Sequence, residues 1–335
     1  MAFPTRSLGT TGMDITRVGF GAWAAGGGGW AFSWGPQDDN ESVAAVCHAV
    51  ESGINWVDTA PVYGLGHSEE IVGRALQALS PEDRPYVFTK CGLRWDISDR
   101  YKPARRVGAP ASLREEVEQS LTRLKVERID LYQLHWPAED GTPLEVYWPT
   151  LLELKDEGKI GAAALCNHST AQLEEAEGIG HVDSLQPPFS AIRRTAASEI
   201  AWCAGHSTGV IVYSPMQAGL LTGSFSAERV AGLHEDDWRA RNPEFQGDRL
   251  SRNLALADAL RPIAQARGTS VAAVAVAWTL AWPGVTGAIV GARSPDQVDG
   301  WLPAATLELS PDELDQVAAA ITATGAGDGP VRPPT

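Results

Sequence analysis

Four ionisable side chains of different type fall at or just beyond the ends of short β-branched segments. Asp58 closes INWVD, Tyr63 follows five residues on in DTAPVYG, Lys90 closes YVFTK and His135 closes IDLYQLH. A carboxylate, a phenol, an ammonium and an imidazole within a few ångströms of one another can hold and hand over a proton, which is general acid–base chemistry. Taken singly, each has an ordinary explanation. A strand-end lysine is usually solvated, a loop tyrosine packs, an aspartate before threonine caps a turn, and a lone histidine after an apolar run is a satisfied structural group. Random surface polarity should not place all four at the ends of three consecutive strands.

Such a set converges only if its segments are neighbouring parallel strands. The β-branched runs predict strands at 16–23, 55–58, 86–90, 129–135, 160–166, 184–186, 210–213 and 287–290. Between them, periodic segments predict helices at 41–51, 68–78, 113–124, 144–157, 170–177, 198–203, 254–266 and 294–302. Ser68, Ser112 and Ser310 read as helix-capping residues, and Gly158 as a helix C-cap. Strand-then-helix repetition implies parallel pairing through crossover helices, and eight repeats close a barrel. The expected fold is α/β, a single (β/α)8 TIM barrel domain over residues 1–335 with extended mouth loops and an extra C-terminal helix. Residues beyond the roughly 250 of an ordinary barrel are placed in an N-terminal extension (1–15), a glycine-rich loop (26–39), a long polar loop (224–252), the helix opened by Ser310, and a flexible tail (324–335).

Composition narrows the function. With 27 Lys+Arg against 42 Asp+Glu the formal net charge is −15, which argues against nucleic acid as a partner. Four scattered cysteines with no zinc-ligand spacing imply a reduced protein and no metal. No secretory signal is recognisable near the start, and the longest apolar run, 271–282, is too short for a membrane span and reads as a buried helix. A cytoplasmic protein without a membrane partner is expected.

The segments DTAPVYG, VFTKCG and DLYQLHWP resemble the catalytic motifs of the aldo-keto reductases. The resemblance continues through GHSEEIVGRAL, SLTRLKVERID, LLELKDEGKIGAAALCNHS, VIVYSPMQAGLLTG and AIVGARSPDQV, the last as in the bacterial branch with GAR after the eighth strand. It implies hydride transfer between a nicotinamide cofactor and a small-molecule carbonyl or alcohol. Tyr63 is then the proton donor, Lys90 the cation that brings its pKa down, Asp58 the counter-ion of that lysine, and His135 a donor to the substrate oxygen. It further implies that Asn167 and Gln186 hold the carboxamide and that Tyr213, followed by Ser214 and Pro215, stacks on the nicotinamide. Gly219, Leu220 and Gly223 lie by the pyrophosphate, and Gly291, Arg293 and Gln297 by the distal phosphate. An arginine there favours NADPH, with NADH possible. Cys166 stands where the family usually has serine, removing a strong hydroxyl donor.

One motif misleads. Gly19-Phe20-Gly21-Ala22-Trp23-Ala24 fits the relaxed dinucleotide fingerprint, but Gly26 to Gly29 follow where that fingerprint needs a helix. Five of the 12 tryptophans fall in expected mouth loops, at 23, 30, 34, 95 and 136, and Trp23, Trp30 and Trp136 are candidate substrate walls beside a flexible glycine loop. A nicotinamide-binding regulatory subunit with little turnover is the rival reading; a metal-dependent barrel hydrolase is a weaker one.

Overall fold

A computed structural model describes residues 3–334. Eight parallel strands close a barrel, each hydrogen-bonded to the next and the last to the first. They are β1 (Val18–Gly21), β2 (Trp56–Asp58), β3 (Tyr86–Cys91), β4 (Ile129–Leu134), β5 (Ile160–Cys166), β6 (Ser184–Gln186), β7 (Gly209–Val212) and β8 (Gly287–Gly291). This is the (β/α)8 TIM barrel expected from the repeats.

The helices, in chain order, are α1 (Asp39–Glu51), α2 (His67–Ala78), α3 (Pro110–Leu124), α4 (Leu144–Asp156), α5 (Thr170–Glu177), α6 (Ala197–Gly205), α7 (Ala227–Ala231), α8 (Gly247–Ala259), α9 (Arg261–Ala266), α10 (Val271–Leu280), α11 (Pro295–Trp301) and α12 (Pro311–Thr324). Helix α10, the apolar run of the sequence, is buried along its whole length. No helix among the described residues is long and apolar enough to cross a membrane.

The lumen is filled from below. A hairpin of Thr5–Ser7 against Asp14–Thr16 brings Leu8, Met13 and Ile15 into one apolar cluster with Trp56, Phe88, Leu131 and Ile211. The misleading fingerprint has its physical reason here. A Cβ on Gly19 would lie 2.1 Å from the Trp56 indole, and one on Gly21 2.7 Å from Ile289 Cγ2. Both glycines make room for lumen side chains, not for a phosphate.

Several boundaries differ from expectation. The first strand is shorter, because Thr16 belongs to the hairpin strand Asp14–Thr16 and Trp23 opens a 3-10 turn, Trp23–Gly26. The 224–252 segment is no open loop: it holds α7, two 3-10 turns and the start of α8. The helix expected at 254–266 is split at Leu260, where Pro262 in the first turn of α9 has no N–H to continue α8. Ser310 forms its capping box with Glu313, and Gly158 takes a left-handed conformation after α4. Ser68 and Ser112 cap nothing; each lies inside its helix and bonds to tertiary or helical neighbours. The stretch after α12 is tied down rather than free, since Arg194 N donates to Asp328 O and its guanidinium to Ala326 O; Thr335 lies outside the described residues.

Gly19→Ala is therefore expected to destabilise the protein by about 1–3 kcal/mol through overpacking. Gly300→Ala, in α11 with nothing within 4 Å of the new methyl, should be neutral or stabilising by up to about 1 kcal/mol. Denaturant melts of the two variants check this, and equal stability would contradict the lumen account.

Candidate active site

The ends of β2, β3, β4 and β6 bring four polar side chains together above the apolar lumen. Asp58 is 3% exposed and Lys90 0% exposed. An ammonium in that setting must be paired and hydrogen-bonded. Lys90 Nζ donates to Asp58 Oδ1 at 2.5 Å and to Thr59 O at 2.9 Å. The other carboxylate oxygen, Oδ2, accepts from Gln133 Nε2 at 3.0 Å and Gln186 Nε2 at 2.9 Å. Burial disfavours the Lys90 charge, yet Asp58, with Tyr63 and Cys166 beside it, holds its pKa above the ordinary value.

Tyr63 sits over this floor. Its ring centroid lies 5.2 Å from Lys90 Nζ and 5.8 Å from the His135 ring, which meets it edge-on. The loop carrying it is fixed by Ser68 Oγ, which donates to Ala22 O and bonds Thr59 Oγ1. Gly64, with φ of 67°, lets the turn rest on Gly26, whose carbonyl would be 2.1 Å from any Cβ there. Burial pushes the Tyr63 phenol up to about 12, and Lys90 only partly offsets it. This corrects the expectation of a lowered pKa: desolvation exceeds the pull of a cation whose charge is already balanced by Asp58. Burial, then Lys90 and Arg106, hold the His135 imidazole well below its usual value, so the ring is neutral.

Asn167 and Tyr213 flank the same mouth. Asn167 has φ of 60°, and its amide is fixed by donating to His135 O at 2.9 Å and accepting from the Tyr213 hydroxyl at 2.9 Å. One Asn167 N–H remains. Gln186 donates both of its N–H groups inward, to Asp58 and to Gln133, which leaves its carbonyl oxygen. A free donor beside a free acceptor is the complement of a primary carboxamide, so the residues present fit the nicotinamide group implied by sequence. Cys166 is fully buried and its thiol donates to Gln133 Oε1 at 3.5 Å.

The expected phosphate-side residues are arranged differently from a free cradle. Ser214, Gln217 and Ala218 all have positive φ, a concentration of backbone strain typical of ligand-binding segments. Pro215 and the Leu220 side chain are buried, so Leu220 offers only its backbone. A Cβ on Gly219 would meet Phe225 at 2.7 Å and one on Gly223 would meet Val271 at 3.0 Å, so packing accounts for both glycines. Gly291 is exposed at the end of β8. Arg293 does not stand free: its Nε donates to Gln37 Oε1 at 2.6 Å and its other nitrogens to Trp34 O and Pro36 O. Gln297 Oε1 accepts from Arg293 N.

Of the three candidate wall tryptophans, Trp23 and Trp136 lie beside Tyr63. Trp23 stacks between Tyr63 (5.9 Å) and Trp238 (5.2 Å), and Trp136 clusters with Trp95 and Tyr63 under the Arg106 guanidinium. Trp30 is 2% exposed and bonds Gly27 O, so it packs its own loop and is not a wall. That loop is braced rather than loose. Gly29 N donates to Asp236 Oδ2 at 2.6 Å, Trp238 N to Ser33 O at 2.9 Å and Arg241 to Ala31 O at 3.0 Å. Gln133, Trp238 and Arg239, whose guanidinium pairs with Asp237 and covers the Trp34 ring, were not singled out by sequence. For Gln133 a signal existed, a polar residue interrupting the apolar run of β4; the polar 224–252 segment offered none.

The family model described as Aldo/keto reductase family matches residues 17–322. The chain is 36% identical to the aldo-keto reductase YhdN of Bacillus subtilis over 88% of this chain and 86% of that protein. It is 34% identical to the NADH-specific methylglyoxal reductase of Escherichia coli, covering 90% of this chain and 94% of the relative. Among solved structures, the glycerol dehydrogenase AKR11B4 from Gluconobacter oxydans superposes with a TM-score of 0.86 at 37% identity, covering 97% of each chain.

The electrostatics of the site yield a direct expectation for its imidazole. In an NMR titration of histidine Cε1 resonances, the signal assigned to His135 through His135→Asn should still be that of the neutral ring at about pH 6.5, where an ordinary histidine is half protonated. A midpoint above pH 6 would contradict the assignment.

Proposed function

The chain belongs to the aldo/keto reductase family of oxidoreductases, and we propose that it reduces the carbonyl group of an aldehyde, ketone or sugar with NADPH, Tyr63 handing the proton to the carbonyl oxygen. The single observation that carries this reading is the half-buried Tyr63 phenol, held between the Lys90 ammonium and the neutral His135 ring and facing the aromatic mouth. When bound, the nicotinamide supplies the hydride.

This chain's residues do the rest. Asn167 offers its free N–H and Gln186 its carbonyl to the carboxamide, with Tyr213 presenting a ring beside them. Neutral His135 donates one N–H to the substrate oxygen and positions it near the Tyr63 hydroxyl. As negative charge develops on that oxygen, the phenol proton moves to it, and the tyrosinate left behind faces Lys90. A phenol held at about 12 is still a far stronger acid than the alcohol being formed, so the transfer is downhill.

Arg293 supports NADPH over NADH through its charge at the start of α11, but its donors must leave Gln37 and the loop carbonyls to reach a 2′-phosphate. The preference is accordingly modest, in keeping with a relative named NADH-specific. Trp23, Trp95 and Trp136 suit short oxygenated carbonyl compounds presenting one apolar face; the names of the methylglyoxal and glycerol enzymes support the same class.

Turnover of NADPH and NADH across a panel of short 2-oxo aldehydes, ketones and sugars tests this. Tyr63→Phe should lower kcat at least about 100-fold with NADPH affinity within about threefold of wild type, and Arg293→Ala should weaken NADPH about tenfold, the loss of one charge-assisted contact, while sparing NADH. Unchanged turnover in Tyr63→Phe would overturn the proton assignment, and cofactor binding without turnover of any panel member would point to a regulatory subunit.

A further inference from the structure

Gln133 is fully buried in a lumen whose preceding inward-facing residue on β4, Leu131, is apolar. A leucine or methionine would pack there without the penalty of desolvating an amide. Each polar atom of Gln133 instead has a specific partner. Nε2 donates to Asp58 Oδ2 at 3.0 Å, and Oε1 accepts from Gln186 Nε2 at 2.9 Å and from the Cys166 thiol at 3.5 Å. In register, Gln133 lies directly opposite Lys90 on the neighbouring strand.

The orientations are forced. Asp58 is ionised against Lys90 and can only accept, so the amide nitrogens of both glutamines must point to it. The carbonyl of Gln133 then has no choice but to face Gln186, and the Gln186 carbonyl is turned the other way, to the carboxamide position. We infer that Gln133 is a positioning residue that locks the Asp58 counter-ion of Lys90 and the cofactor-facing amide of Gln186 into one arrangement, coupling proton donation to nicotinamide placement. The inference rests on the reductase reading above. The ionisable groups facing Gln133 are Asp58 from β2, Lys90 from β3 and Cys166 from β5, with Tyr63 beyond Lys90.

Two variants of the full chain separate this from a merely structural role. Gln133→Met keeps the volume and removes the amide. It should lower kcat at least tenfold, of the order that a small misplacement of catalytic groups produces, and weaken NADPH severalfold, read by quenching of tryptophan fluorescence and so without turnover. Gln133→Glu restores the pattern only when its carboxyl is protonated, since the O–H then donates to Asp58 and the C=O accepts from Gln186. Burial beside Asp58 raises the pKa of that carboxyl, so the competent form exists below the raised value and is lost as pH rises through it. Its kcat should approach wild type at the acid end of a profile from pH 5.5 to 9 and fall towards the alkaline end, where the wild-type profile does not. Wild-type kcat and NADPH affinity in Gln133→Met, or a Gln133→Glu profile parallel to wild type, would overturn the inference. If the glutamate variant does not fold, the methionine variant decides alone. A wild-type protein without turnover would instead sink the reductase reading, while the binding measurement would still report on Gln133.

Discussion

A lysine and an aspartate, both almost wholly removed from water, face each other across 2.5 Å at the top of the barrel lumen. Everything around them answers to that burial. Isolated ions in such a setting are strongly disfavoured, and even a pair is often less stabilising than apolar residues of the same volume. Much of the remaining hydrogen-bonding capacity is therefore used: the Thr59 carbonyl accepts from a second lysine N–H, and two glutamine amides satisfy the second carboxylate oxygen. This requires side chains from four different strands to meet at one level. A closed barrel with a fixed register supplies it, because Lys90 pairs with Gln133 and Gln186 with Cys166 along neighbouring strands.

The pair also sets the chemistry available above it. Its charges nearly cancel, so Tyr63 feels burial more than it feels Lys90, and the phenol remains protonated. The same ammonium, with Arg106 behind it and burial as the larger influence, keeps His135 neutral. A protonated phenol and a neutral imidazole are two donors aimed at one region, which suits an oxygen that gains negative charge. Over this site the glycine loop, the 234–241 segment and Arg293 are braced together, so the mouth is roofed by Trp23, Trp34 and Trp238 rather than left as an open cleft.

Much of this was legible in the sequence, for identifiable reasons. Short β-branched runs ending in a polar residue located the strands and, with them, Asp58, Lys90 and His135; Tyr63 followed from its short spacing. What stayed hidden depends on tertiary contact. Gln186 reads as a cofactor residue, but only the fold shows that both its N–H groups point down to Asp58 and Gln133. Arg293 reads as a phosphate ligand, and nothing in its neighbourhood in sequence discloses Gln37, 256 residues away, as its partner. Gly19 and Gly21 mimic a dinucleotide motif because small residues serve two unrelated needs, approach to phosphate and room for the Trp56 and Ile289 side chains. Trp238 and Arg239 lie in a polar segment with no periodicity to place them.

If the buried pair exists for chemistry rather than for stability, its two members should be separable from the fold together but not singly. The most direct measurement is the unfolding free energy of Asp58→Asn, Lys90→Met and the double variant, alongside their turnover. Each single change leaves one charge or its donors unpaired and should destabilise by about 3–5 kcal/mol, whereas the double variant should recover most of that loss and remain inactive. A double variant as unstable as the sum of the singles, or one that keeps wild-type turnover, would contradict the account.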